Sequence, residues 1–547
     1  MKKIYLAFSL LTALVTSTNA QSFEWAKREG LYEYDYGYGI ATDPVGNVYV
    51  AGKYEMAANF SNTILFNRGN HDIYVAKYGA DGGLRWISTG GGLLGDYAHA
   101  LTCTGTNLFI AGEIEGAGNT ISFDGSSITL NPVGDNDAFI AKYDLSGNLI
   151  WAKSGGGTKD DKAQGVSFDN AGNAYMCGFF EDSATFGNTT LYSKGYRDIF
   201  VVKYDGNGNF QWAKSAGSSG RDEGLGIKCD PAGNVYVCGM HSDGANFDSQ
   251  IINSPNGYYN AFLAKYSTTG SLQWVKTGGG DVDDVAWSVT MDNAGKIYIS
   301  GEYNAYAVFG STALLATANA DVFVACYDAS GTEQWAKSGG GNLIDRARGI
   351  TSDGTNTYIS GQFGGTATFG TYNLTAADSS DIFIAALNPS GDFIWATSVG
   401  GPADSLETLG YESGDGICAE AAGNVYATGA LLNGGTFGST TLTPYSRTDA
   451  FIAKISQTTG IHDLAKGSAL HIYPNPGDGH FTIDLGASNK SHGAITIYNC
   501  IGQAVEYLEL NSSSKISIDL SDKVKGIYFV ELTENNEFVS REKISIQ

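Results

Sequence analysis

Basic residues are scarce in this 547-residue chain, where 33 Lys and Arg stand against 57 Asp and Glu for a formal net charge of −24. Affinity for phosphate backbones and anionic lipid comes chiefly from basic side chains, so nucleic acid is excluded as an expected partner. Cysteine is sparse too: the seven are scattered and form no CxxC pair, which argues against a disulfide framework and against zinc. Charged residues of all kinds make up only 16% of the chain, against about 25% in an average globular protein. No apolar run reaches the roughly 20 residues of a membrane helix, so no transmembrane segment is expected. HExxH, GxSxG and P-loop signatures are missing, and the seven histidines are dispersed rather than grouped at ligand spacing, so no sequence signature supports an enzyme. What is abundant is glycine, 74 residues, together with 32 Tyr, 26 Phe and 8 Trp. Many turns and ample core material follow, in a chain long enough for more than one domain.

The two ends differ from the middle. Met1-Lys2-Lys3, an apolar run from Ile4 to Val15 and the small-residue site Thr18-Asn19-Ala20 have the layout of an export signal over residues 1–20. At the other end the tryptophans stop, residues 457–469 read as a polar linker, and residues 470–547 carry short alternating strands between turn residues, which suggests a small β-sandwich. Its phrases are Tyr473-Pro474-Asn475-Pro476, then Ile497-Tyr498-Asn499 with Gly502-Gln503, then Gly526-Ile527-Tyr528-Phe529-Val530. In that order they resemble the C-terminal sorting domain of cargo of the type IX secretion system of Bacteroidetes. The resemblance implies the secretion machinery as a partner, passage through the outer membrane, and removal of the tail with release or surface attachment.

Between the ends, Trp25, Trp86, Trp151, Trp212, Trp274, Trp335 and Trp395 are separated by 61, 65, 61, 62, 61 and 60 residues. Each unit repeats a Trp strand with glycines, two further strands around an Asp-x-x-Gly-Asn turn, and an Asp-Ile-Phe-type strand, four main strands in all. Such turns supply the left-handed position of a tight hairpin, so antiparallel meanders are predicted. An open row of seven would leave bare sheet edges, whereas radial closure into a propeller removes them. The repeat region begins with a lone Trp strand, Phe23 to Lys27, and ends with Asp449 to Ile455 lacking one. The expected fold is therefore an all-β, seven-bladed β-propeller over residues 21–456, its N-terminal strand completing the last blade, followed by the β-sandwich. The units resemble the seven-bladed propeller repeats of secreted bacterial proteins. The Ala141-to-Trp151 segment is also similar to the tryptophan-docking motif of pyrroloquinoline quinone propellers. Its Trp is read as a packing device, and no cofactor is expected.

Three columns stand out when the units are compared. Ten residues after the Trp lie Asp35, Asp96, Asp161, Asp222, Asp284 and Asp345, and an insertion of seven residues moves the seventh acid to Glu412. A second column reads Asp72, Asp137, Asp198, Asn260, Asp321, Asp381 and Asp449. Both are expected on loops of one face, where they either organise glycine-rich turns or hold a divalent cation such as calcium, which takes several hard oxygen ligands. Sevenfold repetition favours the turn-organising role. The third column varies completely: Tyr38, His99, Gln164, Leu225, Trp287, Arg348 and Asp415. Placed just before the innermost strands, these residues should rim the central channel and suit a polar ligand, a glycan or a peptide. The function expected is a secreted or cell-surface binding or structural module. The alternative is a carbohydrate-active enzyme using acids at the channel mouth.

Overall fold

The computed structural model describes residues 20–547 except 255–257, 402–411, 422, 433, 446, 459–470, 486–492, 500–502, 511–514 and 535–536. The expected export signal lies outside these but for Ala20, as does most of the expected linker. The chain divides into two compact units, Gln21–Gln457 being one, while Thr458–Gln547 falls in the other. No described residue lies in a helix, and no helix is long and apolar enough to cross a membrane.

The larger unit is built from four-stranded antiparallel meanders. In the third repeat Asp161–Phe168 pairs with Ala174–Phe180, that with Asp198–Tyr204, and that with the Trp strand Phe210–Gly217. The turn inside the first hairpin shows why the sequence folds so locally. Asp169 accepts from Ala171 N and Asn173 N with one oxygen, and from Asn173 Nδ2 and Tyr175 Oη with the other, while Gly172 takes the left-handed φ of 79°. Only glycine adopts that conformation without steric cost. The N-terminal strand Ala20–Glu29 lies beside Asp449–Thr458, in a sheet that continues through Val425–Leu431 to Ser413–Ala419.

Tryptophan joins each meander to the next. The indole Nε1 of Trp86 donates to Leu145 O at 3.0 Å, Trp151 to Gly206 O and Trp212 to Thr268 O at 3.2 Å, each acceptor lying in the outer hairpin turn of the following repeat. Each repeat's phenylalanine hairpin reaches back to the preceding Trp strand, as where Phe247 pairs with Ala216. Burying such rings at a junction is worth a few kcal/mol apiece by area. Innermost strands also touch in sequence from Tyr36–Thr42 through to Ser413–Ala419, and the last of these touches the first. Between them a Cβ on Gly416 would lie 2.6 Å from Tyr38 O. The column Ala51, Ala111, Cys177, Cys238, Ser300, Ser360 and Thr428 is fully buried, and Cys177 and Cys238 are free thiols in it.

In the smaller unit, His480–Asp484 pairs with His471–Tyr473 and Lys515–Asp519. A second sheet runs Ala504–Glu509, Gly493–Asn499, Gly526–Glu534, Glu537–Ile546. One apolar core serves both, with Ile483, Ile495, Ile497, Leu520 and Val530 at its centre.

Candidate functional site

The variable column does not precede the innermost strands, as the sequence suggests, but lies inside them. Every innermost strand carries a β-bulge at that point. Gly37 pairs with Gly52 and Gly39 with Ala51, leaving Tyr38 as the extra residue, and the same shift leaves out His99, Gln164, Leu225, Trp287 and Arg348. In the last unit the shift spans Ser413 to Gly416 and takes in Asp415. A bulge bends the strand and re-aims one side chain. The opposing glycine makes it possible: a Cβ on Gly52, Gly112, Gly178, Gly239, Gly301, Gly361 or Gly429 would overlap the carbonyl of Tyr36, Tyr97, Lys162, Glu223, Val285, Arg346 or Ser413.

All seven bulge residues line one cavity of about 440 Å³. One arc is aromatic. Tyr36 and Tyr38 stack with centroids 5.5 Å apart, Tyr97 and His99 stack at 5.7 Å, and the Lys53 ammonium lies 5.1 Å from the Tyr36 ring and 5.2 Å from that of Tyr97. His99 Nε2 is 3.2 Å from Glu113, which also receives Lys162 Nζ at 2.6 Å. Burial alone would raise the Glu113 carboxyl, but these partners outweigh it and hold it below its ordinary value. The arc that adjoins it through the last repeat mixes charge with apolar surface. The Arg348 guanidinium lies 4.9 Å from the Trp287 ring centroid, and its Nε is 3.7 Å from Asp415 Oδ1. Trp287 packs against Leu225, Met240 and Val285, and its Nε1 is 3.4 Å from Glu302. Burial raises the Asp415 carboxyl despite Arg348 and a hydrogen bond from Ser413.

Neither acid column reaches this cavity. Asp35, Asp96, Asp161, Asp222, Asp284 and Asp345 have no solvent exposure, and Glu412 has 2%. They sit buried at the junctions between repeats, at or just before the starts of the innermost strands, and are not exposed on the loops as expected. Asp96 accepts from Gly92 N and Glu115 N, Asp284 from Gly280 N and Asn304 N, and Asp345 from Gly341 N and Gly364 N. The second column clamps its own hairpin in the same way, Asp72 taking Arg68 N, Asp137 taking Val133 N and Asp321 taking Thr317 N. The two columns meet across a glycine. A Cβ on Gly156 would lie 2.7 Å from Asp161 and 2.9 Å from Asp137, and one on Gly340 would lie 2.7 Å from Asp321 and 2.9 Å from Asp345. Among the described residues no three acids, histidines or cysteines converge as a metal site would require. Burial, and then the neighbouring acid, push Asp161 up to about 8.

A fourth column also faces the channel. Two residues beyond each bulge stand Ile40, Leu101, Val166, Ile227, Val289, Ile350 and Ile417, each 6–8% exposed, which line both the first cavity and a second of about 270 Å³. This aliphatic girdle separates two chambers. Its signal was present as an invariantly aliphatic position, but core packing explains such a column equally well.

Comparison with known proteins finds a match in each part of the chain. Residues 471–547 match the secretion system C-terminal sorting domain, and residues 24–53 match the family described as beta-propeller repeat. An uncharacterized WD repeat-containing protein of Acanthamoeba polyphaga mimivirus is 25% identical over 296 residues, 49% of this chain and 18% of that protein. The regulatory protein FlaEY of Caulobacter vibrioides is 25% identical over 264 residues, 44% of this chain and 27% of that protein. The chain thus spans under a third of the length of these relatives. A solved extracellular domain of a hybrid two-component system from B. thetaiotaomicron aligns over 94% of this chain and 97% of that one, with 8% identity and a TM-score of 0.14. The sorting domain marks the chain for export through the type IX secretion system to the cell surface or the extracellular space.

Proposed function

We propose that the exported protein is a closed seven-bladed β-propeller that binds a polar ligand, a glycan or peptide, in the first chamber. The observation that carries this is the delivery of seven different side chains, from the bulges of seven innermost strands, into one cavity. A scaffold that places a glycine-dependent bulge in every repeat to aim one residue inward uses the rest of the repeat as support. Aromatic faces on one arc and Trp287 with Arg348 on the other suit sugar rings or peptide side chains, which stack on aromatic surfaces and hydrogen-bond at their edges. Closure is supported by the contact of the first innermost strand with the last and by the Trp25 strand lying in the last sheet.

The test is retention on a glycan and peptide array together with assay of reducing-end release from the same polysaccharides. Retention without release, weakened by Trp287→Ala and by Arg348→Ala, is the expected result. Release of reducing ends would replace binding by catalysis, and retention indifferent to both substitutions would move the site elsewhere.

A further inference from the structure

Beyond the aliphatic girdle the channel changes character. The residue after each girdle position faces the second chamber, and the column reads Ala41, Thr102, Ser167, Lys228, Thr290, Thr351 and Cys418. Six of these are small, and one is a lysine. Lys228 has no ion-pair partner among the described residues, where Lys53 and Lys162 have aromatic rings or a carboxylate beside them. The lining offers hydroxyls instead of acids. Ser167 Oγ accepts from Cys229 N.

We propose that the second chamber is a binding site for a small oxyanion, with the Lys228 ammonium supplying the charge and hydroxyls of neighbouring repeats supplying further donors. An unpaired cation in a concave site is costly, because burial disfavours its charged form, and this pushes Lys228 below its ordinary value. An oxyanion removes that cost and accepts from several donors at once, which neither water nor a single carbonyl does as well. The net charge of −24 gives the molecule no general attraction for anions, so binding here must come from local geometry. A cavity of about 270 Å³ accommodates sulfate, phosphate or the carboxylate end of a larger molecule, and the girdle separates this site from the glycan or peptide site proposed above.

Isothermal titration of the mature protein with sodium sulfate, inorganic phosphate and sodium acetate, separately and at constant ionic strength, tests this. One site per chain is expected. Lys228→Thr, which copies the residue found at this position in three other repeats and so preserves the fold, should lower affinity by roughly tenfold or more, and Lys228→Arg should retain it. Arg348→Ala, beyond the girdle, should leave it unchanged. Response to sulfate or phosphate alone identifies a free inorganic anion, and response to acetate identifies a carboxylate. No binding of any of the three at millimolar concentration, or binding by Lys228→Thr equal to that of the parent, overturns the proposal. Loss in Arg348→Ala with retention in Lys228→Thr overturns it as well and places the anion in the first chamber.

Discussion

The indole Nε1 of Trp25 donates to Ala80 O at 3.0 Å, and its ring lies so close to Gly82 that a Cβ there would sit 2.8 Å from it. The N-terminal strand that carries Trp25 belongs to the sheet of the last repeat, while Ala80 and Gly82 belong to the first. One side chain thus joins the two ends of the repeat region.

Trp25→Ala should therefore cost about 2–4 kcal/mol, somewhat less than a fully buried Trp because the ring is partly exposed. Deleting residues 23–27 should cost more, since it also bares a sheet edge. Chemical denaturation followed by tryptophan fluorescence reads both. An unaltered midpoint after the deletion would mean that the strand has no part in closing the last sheet.

The glycine opposite each bulge yields a sharper substitution. Gly301→Ala would drive a methyl group into the Val285 carbonyl, so the bulge that presents Trp287 must flatten or shift. Loss of about 2 kcal/mol or more is expected, together with loss of array retention, whereas Trp287→Ala should lose retention with little change in melting. Equal melting of Gly301→Ala and the parent would show that the bulge is not held by this contact.

The junction acids should act on stability, and calcium should matter little. Asp222 accepts from Ser218 N, Ser218 Oγ and Ser242 N, so Asp222→Ala leaves buried donors unpaired and should cost about 2–3 kcal/mol. Melting curves with calcium and with chelator should superimpose for parent and variant. A rise in melting temperature with calcium that disappears in Asp222→Ala would make these acids a cation site.

Stability should also fall as pH rises from mildly acidic values to about 8. Burial raises Asp35 and Asp161 to about 8 and Asp96, Asp284 and Asp345 to about 7. The folded protein thus holds protons that the unfolded chain has released above about pH 4, and this contribution is full below that pH and lost as pH rises through the folded values. The turn acids oppose it. Hydrogen bonds lower Asp205 and, against burial, Asp43, Asp144 and Asp169, so their contribution is lost as pH falls through values below the ordinary one. A melting optimum at mildly acidic pH results, and Asp161→Asn, which cannot ionise, should flatten the alkaline side. Melting temperatures that climb steadily from pH 5 to pH 8 would contradict this assignment.

Export processing gives a prediction for native material. The signal-like start and the sorting domain lead us to expect mature protein that begins near Gln21 and lacks residues 470–547. Intact-mass measurement on protein recovered outside the cell checks this, and a species that keeps Gln547 there would argue against removal of the tail.

The strands and turns are legible along the chain because they follow from neighbours a few residues apart, alternation and Asp-x-x-Gly-Asn geometry, and the repeats are legible from one Trp about every 61 residues. The sequence also separated constant columns from a variable one. Where the columns point is set by contacts between strands and between repeats. Tyr38 and its six counterparts lie in the channel because a bulge, made possible by a glycine on the partner strand, turns one extra residue inward, and local periodicity cannot place such a break. Asp137 and Asp161 are 24 residues apart and meet only when one repeat packs on the next, so a buried carboxyl pair and an open acidic loop read alike along the chain. Lys228, one basic residue among many in the sequence, becomes distinctive only inside a ring of small residues supplied by six other repeats.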